Sequence, residues 1–172
     1  VYGMHNMPGI APGHISLRRG PIMAAADQFT VVVEGKGAHA AAPHLGIDPV
    51  FIGSQIVGAL QSIASRNADP LKSVVVSTTM FHAGEALNVL PDAATLSGTV
   101  RTFRVETLDL VERRMRQIAD HLCAAHGATC TFALRRSYPP TVNHPAETEF
   151  VRRALAECGL RPTLSTTGGT SD

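Results

Sequence analysis

Gly35-Lys36-Gly37-Ala38-His39-Ala40-Ala41-Ala42-Pro43-His44-Leu45-Gly46-Ile47-Asp48-Pro49-Val50 joins a valine-rich segment to an amphipathic one. Before it, Phe29 to Glu34 places Phe29, Val31 and Val33 on one side and Thr30, Val32 and Glu34 on the other, which predicts a strand. Gly35 and Gly37 release the chain from the extended conformation. After it, Asp48 is a predicted N-cap and Pro49 a first helical residue, where a missing N–H costs nothing. The helix runs to about Ser65, with Ile52, Ile56, Val57, Leu60 and Ile63 at helical spacing. Between strand and helix lie small residues and two imidazoles, His39 and His44, with nothing bulky to shield them.

Outward from this stretch the pattern repeats. Ser73 to Ala83 reads as a long strand with Val74, Val76, Thr78 and Met80 on one face. The loop Gly84–Asp92 leads to a third strand, Ala94 to Phe103. There Leu96, Gly98 and Val100 oppose Thr95, Ser97, Thr99 and Arg101, so helices are expected on one side of the sheet only. A second helix spans Glu106 to Ala125, with Gly127 placed to end it. Thr129 to Arg135 is the fourth strand. The order βαββαβ is that of a ferredoxin-like plait, an α+β fold whose four-stranded antiparallel sheet carries both helices on one face. In that arrangement the first and third strands are central and Ser73–Ala83 lies at an edge.

The ends do not fit the plait. Val1-Tyr2-Gly3-Met4 reads as part of a buried strand with His5 at its C-terminal end, where open α/β sheets place functional groups; a plain loop histidine fits as well. Beyond Tyr138-Pro139-Pro140, a short helix opens at Asn143-His144-Pro145. Residues 1–24 and 137–172 are therefore expected to be strips of a partial α/β domain into which residues 25–136 are inserted.

The 172 residues are 44% hydrophobic and 17% charged, with a formal net charge of +1. This is a globular composition that gives no reason to expect nucleic acid or an acidic membrane as partner. No apolar run reaches the length of a membrane span. Cys123, Cys130 and Cys158 lack metal-type spacing, which suits reduced thiols in a cytoplasmic protein. No P-loop, Gly-x-Gly-x-x-Gly or Gly-x-Ser-x-Gly occurs. His39 and His44, with a proline between them, are not a recognised ligand pair, and loop or interface histidines fit their spacing better than a metal site does. From the residues alone, a stand-alone dimerising or ligand-binding plait without chemistry of its own remains a full alternative to an enzyme.

Five ordered runs carry a resemblance: Gly3–Pro8 (GMHNMP), Gly35–His44 (GKGAHAAAPH), Ala86–Asp92 (ALNVLPD), Gly98–Arg101 (GTVR) and Tyr138–Thr148 (YPPTVNHPAET). Together they resemble the lid region of metal-dependent amidohydrolases and exopeptidases of the hippurate hydrolase, aminoacylase and indole-acetyl-amino-acid hydrolase type. The resemblance implies cleavage of the amide of an N-acyl amino acid or related N-acyl compound by an enzyme holding two divalent ions, Zn or Mn. It implies that His5 is a metal ligand and that His39 reaches a neighbouring subunit's active site to polarise the scissile carbonyl oxygen. Asn88 and Arg101 would bind substrate, the planar fork of Arg101 suiting a carboxylate. The family's other metal ligands and its catalytic Glu have no counterpart here, so this polypeptide alone is expected to be inactive and to hold no tightly bound ion. Leu164 to Asp172 is similar instead to the succinyl-diaminopimelate desuccinylase branch. A two-fold homodimer is expected, through the Ser73–Ala83 edge and the helix of residues 49–65.

Overall fold

The computed structural model describes residues 1–165. In chain order these form β1 (Ser16–Leu17), β2 (Gly20–Met23), β3 (Ala26–Glu34), β4 (Ala38–His39) and α1 (Pro49–Ser62). A π turn at Ile63–Asn67 follows, then β5 (Val74–Ala83), β6 (Val89–Leu90), β7 (Ala93–Thr102) and α2 (Val105–Ala125). The chain continues through β8 (Thr129–Tyr138), β9 (Thr141–Asn143), α3 (Pro145–Glu157) and β10 (Thr163–Leu164).

The alternation in Phe29–Glu34 does what it predicts. Phe29, Val31 and Val33 are buried on one face of β3, and the strand lies centrally in an antiparallel sheet of order β5-β7-β3-β8. Leu96 and Val100 from β7 and Val76 from β5 join them beneath α1 and α2. Ile52, Ile56 and Leu60 come down from α1; Leu108, Val111, Met115, Ala119 and Cys123 come down from α2. Each large aliphatic or aromatic side chain so buried stabilises the fold by about 2 kcal/mol. The opposite sheet face is polar and uncovered, with Thr30 and Ser97 hydroxyls 3.2 Å apart across two strands.

The helix ends follow the sequence signals. Asp48 Oδ1 accepts from the amides of Val50 and Phe51 at 2.9 and 3.2 Å. Gly127 stands at φ 72°, and the Ala128 amide donates back to the Cys123 carbonyl at 2.9 Å, closing α2 in a Schellman-type turn. Α1 gives way to the π turn three residues before Ser65, with Ile63 still fully buried.

Three expectations are corrected. Val1–Met4 is no strand: it has no ladder partner among the described residues, and Val1, Tyr2 and Met4 are exposed. Apolar composition does not suffice for a strand, because the backbone needs a neighbour to bond. Met80 leaves the face shared by Val74 and Val76, because the register shifts between Thr78 and Met80. That bulge turns Met80 towards the uncovered face and brings the Phe81 ring against Gly53 of α1, where an added Cβ would meet it at 2.8 Å. Finally, neither Gly35 nor Gly37 has a positive φ. They are required by close approach, since a Cβ on Gly37 would stand 3.0 Å from both the Leu90 carbonyl and the Asp92 carboxylate.

The flanking segments pair with each other. Ser16 and Leu17 run parallel to Thr163 and Leu164, and β2 runs antiparallel to β9. Asn143 Nδ2 donates to the Arg18 carbonyl at 2.9 Å, and Arg19 forms an ion pair with Glu149 at 3.0 Å. Residues 166–172 lie outside the described residues, and with them most of the desuccinylase-like run.

Candidate functional site

The β3–β7 ladder does not stop at the sheet's edge. Beyond the Glu34–Ala93 pair, the Gly35 amide donates to the Asp92 carbonyl at 2.8 Å and the Gly37 amide to Asp92 Oδ1 at 2.7 Å. The ladder then resumes as a two-residue ribbon in which Ala38 faces Leu90 and His39 faces Val89. One step further, the Ala40 amide donates to the Asn88 carbonyl at 3.0 Å. His39 and Asn88, which lie far apart in sequence, are thus carried on one narrow ribbon, and both are exposed. Leu87, Val89 and Leu45 beside them are exposed as well.

Asp92 is the residue the sequence reading passed over. Its side chain bonds the loop that carries His39, and its carbonyl bonds the same loop two residues earlier. Its place at the end of Leu-Asn-Val-Leu-Pro-Asp was visible, but its partner lies too far away in sequence for spacing to reveal.

Arg101 sits elsewhere. It is half-buried on the uncovered face, and its guanidinium donates to the Thr99 hydroxyl and, at 3.4 Å, to the Val100 carbonyl. It lies seven residues along β7 from Ala94, which opposes Val33 near the ribbon end. At about 3.3 Å per residue that is roughly 23 Å, before the ribbon itself is added. Within one chain, then, His39 and Asn88 are brought together and Arg101 is not brought to them.

The Arg101 end of the same strands holds a second unforeseen group. Asp27 is 1% exposed, facing the helices from β3. Its Oδ1 accepts from the Ser137 amide at 3.1 Å, tying β8 to β3 where the chain leaves the sheet. Its Oδ2 and the hydroxyl of Thr102, also 1% exposed, are buried without a partner among the described residues. Both residues line an open pocket of about 190 Å³ that Arg104, Leu108, Tyr138 and Pro139 also line. Burial pushes the Asp27 carboxyl above its ordinary range, while the Ser137 amide, Arg136 and Arg101 pull the other way.

His5 lies in the irregular N-terminal segment, exposed, with Nδ1 donating to the neighbouring Asn6 carbonyl at 2.7 Å. Among the described residues no three His, Cys, Asp or Glu side chains gather as a metal site. A catalytic divalent ion takes about three protein ligands, so the residues present do not fit one. Burial raises the Cys123 thiol and pushes Cys130 up to about 12, so neither of these two is a thiolate at neutral pH. No helix among the described residues is long and apolar enough to cross a membrane.

This arrangement is a two-helix antiparallel sheet with an exposed imidazole ribbon and an uncovered edge strand. Residues 25–127 match the family described as peptidase dimerisation domain, and the chain belongs to that family. It is 42% identical over 171 residues to an N-acetyl-L-cysteine deacetylase of Bacillus subtilis, covering 98% of this chain and 41% of that protein. It is 40% identical over 157 residues to thermostable carboxypeptidase 2 of Saccharolobus solfataricus, covering 91% of this chain and 40% of that one. Among solved structures it superposes with a TM-score of 0.77 on a Bacillus subtilis protein described as a dinuclear metal binding peptidase from the M20 family. The identity there is 32%, over 97% of this chain and 42% of the other. The chain thus spans about two fifths of the length of the curated relatives it matches. Further curated relatives are named N-acetylcysteine deacetylase and N-acyl-L-amino acid amidohydrolase.

Proposed function

We propose that this chain is the dimerisation and lid part of a metal-dependent amidohydrolase that cleaves the amide of N-acyl amino acids. Residues 25–136 form the lid, a ferredoxin-like plait; the strand order β8-β3-β7-β5 with both helices against one face supports that name. Residues 1–24 and 137–172 belong to the catalytic domain, a division supported by the pairing of the two flanks with each other. In the intact enzyme His5 is one ligand of a pair of divalent ions, Zn or Mn. The enzyme is cytoplasmic, in keeping with three free thiols.

One observation carries the division of labour. His39 and Asn88 stand at one end of the central strand pair and Arg101 near the other, further apart than an N-acyl amino acid can reach. A single substrate therefore takes its carboxylate contact from Arg101 of one protomer and its contacts with His39 and Asn88 from a second copy. The surface for that copy is the edge strand β5 with α1. Val75 and Met80 on the strand and Val50 and Phe51 on the helix are all exposed, and the edge has no proline or lysine within it.

The test is complementation in the full-length enzyme. His39→Ala and Arg101→Ala homodimers are each expected to lose activity on N-acyl amino acids in the presence of Zn or Mn. Mixed and reassorted, half the dimers are heterodimers with one sound site, so activity returns to about a quarter of wild type. No recovery on mixing, with subunit exchange verified, rejects the shared site.

A further inference from the structure

We propose that the backbone amide of Ala41 fixes the His39 imidazole in one tautomer, with its proton on Nε2, and so makes it a dedicated hydrogen-bond donor. The Ala41 N–H donates to His39 Nδ1 at 3.1 Å. A backbone amide can only donate, so Nδ1 must present its lone pair, and the single proton of the neutral ring is left on Nε2.

The surroundings hold the ring to this choice. The His39 backbone is pinned in the ribbon opposite Val89, and the Ala40 amide is held by the Asn88 carbonyl. The Ala42 amide returns to the His39 carbonyl at 2.8 Å, closing the turn that carries the Ala41 amide to the ring. The run Ala40-Ala41-Ala42 supplies no polar side chain to compete for either partner. Nε2 has no partner among the described residues, and His39 is exposed.

Two other histidines show that the choice is local. His5 Nδ1 lies 2.7 Å from the Asn6 carbonyl, and His121 Nδ1 lies 2.6 Å from the Gln117 carbonyl. A carbonyl can only accept, so these rings carry their proton on Nδ1 and offer a lone pair at Nε2. One chain thus contains both forms, each written by the backbone group the ring meets.

The chemical consequence rests on the amidohydrolase reading, whereas the tautomer itself does not. An outward Nε2–H is suited to a carbonyl oxygen gaining negative charge. An outward lone pair would suit a general base. Residue 41 is accordingly a positioning residue, acting on substrate through His39.

Long-range proton–nitrogen correlation spectra of this chain at about pH 8, where ordinary histidines are neutral, read the tautomer of each ring directly. The His39 signal, assigned by its loss in His39→Gln, is expected to show Nε2 protonated and Nδ1 bare, with His121 showing the reverse. His39 protonated on Nδ1, or showing the same mixture as a histidine in an unstructured peptide, overturns the proposal. Ala41→Pro removes the amide and is expected to return His39 to the peptide mixture; an unchanged spectrum there also overturns it. In the full-length enzyme, His39→Gln, which keeps a donor, is expected to retain at least ten times the kcat/KM of His39→Leu. Equal losses in the two would defeat the donor role while leaving the spectral result standing.

Discussion

The two ends of the central strand pair solve opposite problems with the same two strands. At the Glu34 end, β3 and β7 run on into an exposed ribbon whose backbone groups are bonded almost rung by rung, from Gly35 to Ala40. At the Ala26 end, the pair passes under the helices with one oxygen of a buried carboxylate and a buried hydroxyl that lack partners among the described residues. The exposed end is well satisfied and the buried end is not, the reverse of what solvent access alone would favour. An exposed ribbon of two residues has no core to hold it, so backbone bonds and Asp92 must do so. The buried end is held by packing and can tolerate strain in its polar groups.

The comparison breaks most sharply on activity. His39→Ala in the full-length enzyme is expected to lower kcat by about 10²–10³-fold, the usual loss for one oxyanion donor, without moving the melting temperature of an exposed site. A coupled fall in melting temperature would mean that the ribbon is structural. Arg101→Ala is next, with kcat/KM falling on the order of ten- to a hundredfold on substrates bearing a carboxylate. A substrate whose carboxylate is replaced by an amide should lose much less in that variant, and an equal loss would remove Arg101 from the contact.

Stability distinguishes the ends next. Asp27→Ala leaves the Ser137 amide without its acceptor and is expected to cost about 1–3 kcal/mol in denaturant unfolding. Asp92→Ala frees only the exposed Gly37 amide, for about 0.5–1.5 kcal/mol, with Asp92→Asn recovering most of it. If Asp92→Ala proved the costlier of the two, burial of the freed amide would not be what sets the cost.

The finest test is pH. The Asp27 carboxyl is raised in the folded state, so the fold holds that proton more tightly than the unfolded chain does. Its contribution is therefore fully present below the unfolded carboxylate range and is lost as pH rises through the folded value. Asp27→Asn cannot titrate, so relative to wild type its stability should improve as pH rises through that window. A stability difference that stays flat across the window would show that Asp27 is not perturbed.

Much of the sheet and both of its helices could be read from the sequence, because their signals are periodic or local. Asp48-Pro49 and Gly127 mark helix ends within a few residues, and Phe29, Val31 and Val33 repeat at a period no helix shares. What stayed hidden depends on distant partners. β4 and β6 are two residues each, too short for any period, and their pairing joins distant parts of the chain. Strand β8 continues through Arg135, Arg136 and Ser137, where apolar alternation has ended, because β3 supplies rungs as far as Ala26. Asp27 precedes the strand read as Phe29 to Glu34, yet it lies inside β3 and faces the core. Val1–Met4 differs the other way, offering apolar side chains but no ladder partner among the described residues.

The join between flanks and sheet bears on the order in which the chain folds. Ala26 pairs with Tyr138, so the chain enters and leaves the four-stranded sheet on adjacent antiparallel strands. Once β3 and β8 have zipped, residues just before and just after them are already neighbours. The parallel contact of Ser16 and Leu17 with Thr163 and Leu164 then closes a short effective loop rather than nearly the whole polypeptide. Since closure entropy grows with the logarithm of loop length, the sheet acts as a template that makes the flanks' encounter local, and their assembly is expected to follow it in time.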